Sequence, residues 1–553
     1  MKKAGLIASF FLLIVLPFVS IGQINLTSSN LPIVIIDTQG PEIPNEPKMP
    51  GTMRIVDNGQ GQRNEITGPF NGYDGNIGIE IRGSSSRMFE KKSYGLEIWD
   101  ENNNDTIASI LGMPEEEDWV LHGPYSDKSL MRNVLTFKLG RDMGRYASRT
   151  RYVELVLNGE YRGVYVILEK VKRDKYRVDI ADLAPEENTG DDLTGGYIVK
   201  IDKFDGSNTG GGWTSPYRPP GYTYPDQVIY FQYDYPKARN ITPQQEQYIQ
   251  NYVTAFEDAL QNYPSDDPVN GYKNYIDLAS FVDFAIINEL SRNVDGYRLS
   301  TFLHKDKDSK DPKLYIGPIW DFNLAFGNAD YYNGSDTEGW AWNFNFNPGA
   351  QDDYFLVPFW WQRFQADPDF MIMLKIRWQE LRNGPYQTDT ILSFIDSVAN
   401  VLEESQARNF LKYNILNLYI WPNAFVGGFY QAEIDYLKNW VEARLNWMDQ
   451  AINEIVTDIP ESTMNDQSVC IAPNPFSDEL YIQFSKPYAE IQVNVYNMIG
   501  ARITELREKG GTEAKRVYWN GTDQKGHEVR PGIYVLTVLE SGQIIHRKKI
   551  LKQ

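Results

Sequence analysis

The hydrophobic period changes twice along this chain, and each change marks a different kind of structure. Between residues 31 and 205, short runs alternate apolar and polar residues, which is typical of β-strands. After residue 242 the spacing becomes that of amphipathic helices, and alternation returns beyond residue 467. The pattern predicts an α+β protein with a β-rich part, an α-rich part and a small all-β, immunoglobulin-like sandwich. With 553 residues, the chain is also too long for one hydrophobic core.

The β-rich part contains six apolar runs that predict strands. They are LPIVIID (31–37), IGIEIRG (77–83), KKSYGLEIW (91–99), YVELVLNG (152–159), YRGVYVILEKV (161–171) and GGYIVKID (195–202). Asn158 and Gly159, between two of these runs, are typical of a tight β-hairpin turn. One helix is predicted to interrupt the strands, within residues 126–144.

Helix signals dominate the next part of the chain. Thr242 and Pro243, with Gln245 three residues after the threonine, have capping-box chemistry and predict a helix start. A second helix is predicted from about Asp277 to Leu290, and aromatic-rich helices follow residue 350. A polar stretch at 456–467 predicts a linker, which divides a main domain at 30–455 from a final domain at 468–553.

Residues 1–22 have the layout of a secretory signal peptide, with two lysines, an apolar run and small residues before Gly22. An uncleaved anchor is the alternative, which Pro17 and the shortness of the apolar run disfavour. No later stretch is long and apolar enough to cross a membrane. The mature chain is therefore predicted to be secreted or held at the cell surface, without a transmembrane segment.

The net charge and the cysteine content indicate which partners and which source the protein has. The formal net charge is −20, and removing the peptide makes it about two units more negative, which argues against a nucleic-acid partner. Such acidity suits binding of divalent cations. Cys470 is the single cysteine, so no internal disulfide can form, and this favours a bacterial over an animal source.

Two acids flank one predicted β-hairpin. Asp295 precedes LSTFLHK (299–305), and Asp321 follows LYIGPIW (314–320). Acids at the entry and exit of a hairpin can converge at one end, where one can accept a proton and the other hold a metal. For Asp295, a simple turn with Gly296 is an equal alternative.

Asp321 stands among apolar residues, between Trp320 and Phe322. A desolvated carboxylate needs a cation or strong donors to remain ionised, and Mg²⁺ meets that need. A capping or hydrogen-bonded core acid is the alternative interpretation.

A Gly/Ser loop follows the strand that ends at Arg82. Backbone N–H groups at Gly83, Ser84 and Ser85 could cradle a phosphate, although most such loops are only turns.

Two lysines, Lys91 and Lys92, begin the next predicted strand. Strand parity places Lys92 on the more apolar face with Tyr94 and Leu96, where a phosphate-pairing lysine is expected. A lysine that snorkels at the strand end is the alternative.

Two further groups of residues give weaker evidence for a functional site. Asp127, Arg132 and Asn133 surround a predicted helix start, where capping is the simplest role for the acid. Glu169 ends an apolar strand, and it fits either an adenine-contacting hinge position or an ordinary strand exit.

Taken in order, several of these motifs resemble the spore-coat protein H (CotH) kinase family. They are RGSSSRMFEKKSYGLEI, DWVLHGPYSDKSLMRN, YRGVYVILEKVK, GGYIVKIDK, NVDGYRLS and GPIWDFNLAFGN, and the likeness covers about residues 30–450. The resemblance implies an atypical, two-lobed protein-kinase-like fold. It also implies binding of ATP with Mg²⁺ or Mn²⁺, and phosphoryl transfer to Ser or Thr of a protein substrate.

The resemblance also implies residue roles. Asp295 looks like the catalytic-loop acid, Asp321 like the metal-binding acid, and Lys91 or Lys92 like the phosphate-pairing lysine. The position where many family members carry a second metal-binding asparagine is Ser300 here, and Asn323 is a candidate substitute. No glutamate in the helix after residue 127 is placed to pair with the lysine.

The last part of the chain resembles the C-terminal sorting domain of the type IX secretion system. The motifs are APNPFSDELYIQF, VNVYNMIGARI and WNGTDQKGHEVRPGIYVLTV, within about 466–553. This resemblance implies the type IX machinery as a partner and passage through the periplasm and outer membrane.

Two other functions remain open from the sequence. A catalytically silent relative would serve in surface assembly, which Ser300 and the scarcity of ATP outside the cell favour. A carbohydrate-binding protein would use aromatic residues of 223–236 or 338–349, although such aromatics are more often packing residues.

Overall fold

The computed structural model describes residues 24–40, 42–203, 211–265, 267, 269–455, 469–497, 502–511, 516–529, 532–540 and 543–552. The predicted signal peptide (1–22) and linker (456–467) lie outside these residues. The mixture of helices and strands confirms the α+β class. The kinase-like, two-lobed arrangement and the immunoglobulin-like type of the sandwich stay predictions.

Seven strands of the N-terminal part close into a barrel in the order β2-β3-β5-β6-β7-β9-β8. The strands of this part are β1 (Ser28–Ser29), β2 (Ile33–Asp37), β3 (Met49–Val56), β4 (Asn64–Glu65), β5 (Tyr73–Arg82), β6 (Ser93–Trp99), β7 (Asp118–His122), β8 (Thr150–Leu157) and β9 (Glu160–Glu169). Strands β1 and β4 form a separate pair.

The barrel is closed by the parallel pairing of β2 with β8, where Ile33 lies opposite Glu154. The β8–β9 hairpin turns at Asn158 and Gly159, both with positive φ (51° and 75°), as a type I′ turn requires. Alternate residues of the strands fill the interior, and Val34, Ile77 and Ile167 are fully buried there. Five of the six strands predicted for the β-rich part lie in this barrel, and the sixth, GGYIVKID, is present as a strand of the sheet of the middle part.

Within the described residues, the middle part combines a five-stranded sheet with seven α-helices. Its sheet order is β11-β12-β10-β13-β14. The elements are α1 (Arg132–Asp142), β10 (Tyr197–Ile201), β11 (Gly212–Thr214), β12 (Tyr230–Tyr235), α2 (Pro243–Asn262), α3 (Leu278–Ser291), β13 (Thr301–Lys305), β14 (Leu314–Ile316), α4 (Trp360–Ala366), α5 (Pro368–Arg382), α6 (Thr388–Lys412) and α7 (Tyr430–Asn453).

The helix starts follow the predicted capping chemistry. Thr242 and Gln245 form a complete capping box at the start of α2. Asp277 caps α3 by accepting a hydrogen bond from the backbone N–H of Ser280. Below these helices, one large core joins the α-rich part to the outer face of the barrel, through Val120 of β7 and Val166 of β9.

The last part forms two antiparallel sheets with their own core. The strands are β15 (Val469–Ala472), β16 (Leu480–Phe484), β17 (Tyr488–Asn497), β18 (Arg502–Gly511), β19 (Arg516–Trp519), β20 (Gly532–Glu540) and β21 (Gln543–Lys552). One sheet has the order β15-β16-β19 and the other β18-β17-β20-β21. Side chains from both sheets, including Ile482 and Val493, fill the space between them.

Among the described residues, no helix has both the length and the apolar character that crossing a membrane requires.

Candidate functional site

The predicted hairpin is present, and both acids lie where the sequence placed them. Strands β13 and β14 pair antiparallel, with Asp295 before the first strand and Asp321 after the second. Asn293 links the two acid-bearing segments: its side-chain oxygen accepts from the backbone N–H of Asp295 (3.2 Å), and its Nδ2 donates to the carbonyl of Asp321 (3.4 Å). The two acids therefore belong to one hydrogen-bonded unit at one end of the hairpin.

Asp321 has an unusual backbone and an unusual carboxyl group. Its φ is +63°, in the left-handed region that residues other than glycine rarely adopt. Burial raises the pKa of its carboxyl to about 6, the negative charges of Asp295 and Asp202 add to this, and Arg82 and Lys203 act in the opposite direction. Asp321 is nevertheless exposed to water. Asp321 is therefore partly desolvated by the surrounding protein and is still open to a ligand.

Asp202 is a third acid at this site, and the sequence prediction did not include it. It follows β10 directly, and β10 pairs with β13 so that Ile201 lies opposite Thr301. This register carries Asp202 to the level of Ser300 at the same end of the sheet. An acid after the apolar run YIVKI is the same signal that identified Asp321. The register between distant strands, however, is not readable from the sequence.

Arg82 and the loop after it face this acid group from the barrel. The Arg82 guanidinium carbon lies 5.5 Å from the centre of the Trp320 ring, next to Asp321. The loop continues as a single 3₁₀ turn, Ser85–Met88. Gly83 has φ +107°, and a Cβ there would lie 2.0 Å from Ser86 Oγ, so the turn requires glycine. The loop 83–86 thus begins close to the candidate metal-binding acid.

The two candidate lysines have different surroundings, and their burial is the opposite of the strand-parity argument. Lys91 is the buried one, 2% exposed, with Nζ donating to Asn409 Oδ1 (2.8 Å) and to the carbonyl of Pro124 (3.2 Å). Burial holds its pKa well below the usual value. Lys92 is half-buried and donates to the carbonyl of Arg87 in the loop (2.6 Å). The strand-parity argument fails because β6 begins only at Ser93, so neither lysine is within the strand.

The start of α1 holds the segment after Asp321 in place. The Asn133 side-chain oxygen accepts from the backbone N–H of Phe322 (2.7 Å). Buried Arg132 pairs with Asp127 (2.6 Å) and donates to the carbonyl of Ala325 (3.0 Å). These side chains, which the sequence analysis associated only with capping, are therefore anchors of the acid-bearing loop.

Asn323 and Ser300, the other candidate metal ligands, lie on the two segments beside the acids. The side-chain amide of Asn323 makes no hydrogen bond to any described residue, which leaves it available to an outside partner. Ser300 has a positive φ of 46° immediately before β13. Where the chain is described, no three His, Cys, Asp or Glu side chains are grouped closely enough to hold a metal ion.

Glu169 has its carboxylate engaged at the end of β9. It is fully buried and accepts from Arg149, both from the guanidinium (2.5 Å) and from the backbone N–H (2.9 Å). The hydroxyl of Tyr146 lies 3.3 Å away. The carboxylate therefore belongs to an ion pair at the strand exit.

Asp295 is oriented by a buried arginine. Nη2 of Arg298 donates to Asp295 Oδ1 at 2.9 Å, and Nη1 donates to the carbonyl of Phe355 at 3.0 Å. The same guanidinium pairs with Asp353 at 3.2 Å and stacks on the Phe344 ring, 4.0 Å from its centre. One oxygen of Asp295 is thus fixed, and the other is left for a ligand.

The geometry defines an α+β protein in which Asp295 and Asp321 lie at one end of a hairpin, with Asp202 and Arg82 close enough to act on the charge of Asp321. Residues 79–448 match the family model described as CotH kinase protein. This span is more than half of the chain, and the protein belongs to the CotH kinase protein family. The barrel extends beyond the match, because β2 and β3 precede residue 79.

A known relative shares part of this region. Over 100 residues the chain is 33% identical to inner spore coat protein H of Bacillus subtilis (strain 168). The aligned part is 18% of this chain, and the chain spans 25% of the length of that relative.

Two solved structures have weak likenesses to parts of the chain. Dimeric latent PorU from Porphyromonas gingivalis is 19% identical, with 15% of this chain and 9% of that chain covered and a TM-score of 0.14. Alkylpurine DNA glycosylase AlkC from Pseudomonas fluorescens, bound to DNA containing an abasic site analog, is 10% identical, with 35% and 54% covered and a TM-score of 0.11. At these TM-scores, neither likeness informs the fold.

The final domain is identified by a second match. Residues 470–553 match the secretion system C-terminal sorting domain. This domain directs export by type IX secretion to the cell surface or the extracellular space, which confirms the predicted location.

Proposed function

We propose that this protein is an exported, metal-dependent protein kinase that transfers the γ-phosphoryl group of ATP to Ser or Thr of an extracytoplasmic or surface protein. The observation that carries the proposal is the placement of Asp295 and Asp321 at the entry and the exit of one hairpin, joined by Asn293 at the same end of it, in a member of the CotH kinase protein family. Phosphoryl transfer needs mainly positioning and charge neutralisation, and this arrangement suits both needs.

The donor set fits a divalent cation. Asp321 carries a carboxyl whose pKa is raised to about 6 by burial and by neighbouring acids, so a bound cation would relieve its repulsion from Asp295 and Asp202. Oxygen ligands of this kind, with few from the protein, are what Mg²⁺ and Mn²⁺ accept when phosphate oxygens complete the shell. ATP would supply the transferred group, and the cation would supply positive charge beside it.

Each residue then has a role. Asp321 holds the metal, with Asn323 and Ser300 as further oxygen ligands and Asp202 beside them. Arg82 and the backbone of Gly83, Ser84 and Ser85 receive the phosphates. Of the two lysines, Lys92 supports that loop from a half-exposed position, whereas Lys91 ties the barrel to α6. Asp295, oriented by Arg298, directs the acceptor hydroxyl and takes its proton.

Glu169, the last residue of β9, remains our candidate for the adenine side of the proposed ATP site. Its carboxylate is held by Arg149 and its backbone N–H donates to the carbonyl of Arg149, so Glu169 would support this edge of the site without touching the base.

The test is transfer of label from γ-labelled ATP to a pool of proteins and Ser/Thr peptides, with Mg²⁺ or Mn²⁺ added or chelated. We expect labelling that requires the metal and falls at least about a hundredfold in Asp321→Ala and in Asp295→Ala. Asp336→Ala, another acid of the middle part, serves as the matched control and should retain activity. Labelling by the Asp321→Ala protein equal to wild type would refute the proposal.

A second candidate is a family member that binds nucleotide without transferring phosphate. The observation that favours it is Ser300, a neutral hydroxyl at the position where the sequence analysis expects a second metal-binding asparagine. In that case ATP with Mn²⁺ raises the melting temperature of the wild type, but no label reaches any acceptor.

A further inference from the structure

A small cavity lies one side chain away from the candidate catalytic acid. Its volume is about 160 Å³. Arg298 forms part of its wall, and the same side chain holds Asp295 at 2.9 Å. The other walls are Ile201, Asp202, Val228, Ile229, Tyr230, Tyr354, Phe355 and Leu356. The cavity is therefore largely apolar and lies next to where an acceptor hydroxyl would be.

Two loops, within residues 218–230 and 345–356, form walls of the cavity, and hydrogen bonds join them to each other. Nε2 of Gln227 donates to the carbonyls of Gln351 (2.8 Å) and Asp353 (2.7 Å), and Gln227 is itself buried. Asn345 donates from Nδ2 to the carbonyl of Pro220 (2.9 Å). The cavity is thus held in shape by side-chain to backbone hydrogen bonds.

Exposed aromatic rings surround this part of the surface. Tyr222, Tyr224, Phe346 and Tyr354 are 51%, 47%, 61% and 52% exposed and all belong to these two loops. Aromatic residues gathered in this way on a surface mark a binding region. The two aromatic-rich segments that the sequence analysis treated separately are therefore one surface.

The charges around the cavity are mainly negative. Asp226, Asp352 and Asp353 lie on the same loops, and Asp202 is in the wall. Against these acids stand Arg218, which lies over Tyr222, and Arg298, whose guanidinium is already shared between Asp295 and Asp353. A ligand with acidic groups would be repelled here, and a neutral apolar group would not.

We propose that this cavity, resting on the proposed kinase function, is a specificity pocket for one large apolar side chain of the acceptor polypeptide, close to the phosphorylated Ser or Thr. An apolar cavity of about 150 Å³ is large enough for a benzene ring. Sites for whole small molecules usually measure about 300–1,000 Å³, so a single side chain fits better than an oligosaccharide. The acceptor is thus a segment with Phe, Leu or Met near the hydroxyl and without acidic neighbours.

Binding of dye-labelled peptides to the full-length protein, followed by fluorescence anisotropy, tests this pocket. The peptides contain Gly, Gln and one Ser, with Phe placed in turn at each position on either side of the Ser and Ala as the reference. We expect at least one register in which Phe binds about tenfold tighter than Ala. Val228→Phe, which fills the cavity from a half-exposed wall, should abolish the preference, and Tyr354→Ala should weaken it. Val401→Phe, at an exposed valine on α6, should leave it unchanged.

The outcomes separate this inference from the kinase function, because binding needs no transfer. A preference for Phe that Val228→Phe removes supports the pocket even if no peptide is phosphorylated. Equal binding of Phe and Ala peptides in every register overturns the pocket, whether or not the protein is a kinase. Binding of an oligosaccharide that is lost in both pocket variants, without any peptide preference, overturns it in favour of a glycan site. Thermal melts of each variant check its folding.

Discussion

Asp321 concentrates three properties that seldom occur together in one aspartate. Its backbone is left-handed, its side chain is accessible to water, and its carboxyl has a pKa of about 6. Strained backbone is retained where the surroundings enforce it, and here Asn133 and Asn293 bind the N–H and the carbonyl of the peptide bond that follows Asp321. The residue is therefore held in a conformation that brings like charges close together.

The first prediction concerns the pH dependence of Asp321→Asn. The folded pKa of about 6 lies above the usual 3.8, so the native state keeps a proton that the unfolded state has lost between those pH values. The stability contributed by the protonated form is present at low pH and is lost as pH rises through about 6. We expect Asp321→Asn to melt higher than wild type above pH 6 and equally near pH 4, because asparagine stays neutral and tolerates positive φ. Melting curves of the metal-free proteins measure this difference.

Divalent metal provides the control for that prediction. Mn²⁺ should raise the melting temperature of wild type above pH 6, and the effect should weaken as Asp321 is protonated. The variant should show little response. Parallel pH profiles for the two proteins, with the same response to Mn²⁺, would contradict the assignment.

A second prediction separates the adjacent lysines. Lys91→Met should reduce the free energy of unfolding by about 1–3 kcal/mol, because it leaves the buried Pro124 carbonyl without its donor, and nucleotide affinity should hardly change. Lys92→Ala should have the reverse effect, with weaker ATP binding and unchanged stability. Urea unfolding and titration of a fluorescent ATP analogue measure the two quantities. Loss of ATP binding in Lys91→Met at unchanged stability would assign the phosphates to Lys91.

At the scale of elements, the first turn of helix α1 is the part that positions the candidate site. Asp127, Arg132 and Asn133 join the helix start to the 322–326 segment, while the body of the helix lies in the large core. This turn therefore connects the packing of the α-rich part to the position of Asp321.

The third prediction is that Arg132→Met destabilises the fold by about 3–5 kcal/mol, since it leaves Asp127 as an unpaired buried charge. It should also weaken metal binding, because the carbonyl of Ala325 loses its donor. Lys138→Met is the matched control on the same helix. Its partly exposed pair with Asp142 should be worth only about 0.3–0.5 kcal/mol. Chemical denaturation of both variants measures their free energies of unfolding. Similar losses in the two variants would show that the buried Arg132 contacts stabilise the fold no more than an exposed ion pair does.

The elements that could be predicted are those with local signals. The capping box of α2, the Asn158-Gly159 hairpin and the acid-flanked hairpin each depend on residues a few positions apart. Barrel closure could not be predicted, because it requires residues 33–36 to pair with 154–157. Asp202 was missed for the same reason, since only the pairing of β10 with β13 brings it to the site. Lys91 was misplaced because strand parity does not extend beyond the first residue of a strand.

At the scale of the whole molecule, the chain joins two bodies with separate cores. The core between the two C-terminal sheets contains only residues of 469–550, whereas the large core joins the α-rich part to the outside of the barrel. The residues proposed for phosphoryl transfer lie in the first body, and the sorting domain that directs export is the second. In the part of the chain that the structure describes, neither core contains side chains of the other.

The last prediction follows from that separation. A chain ending after residue 455 should keep the main melting transition and the ATP/Mn²⁺ response of the full-length protein, because no residue of its core has been removed. In calorimetry of the full-length protein, a second and smaller transition should belong to the C-terminal domain and disappear on truncation. Secretion should be lost at the same time, since the sorting domain is gone. A main transition that falls by more than a few degrees in the shortened chain would show that the C-terminal domain stabilises the site, and export and phosphoryl transfer could not then be treated as independent properties.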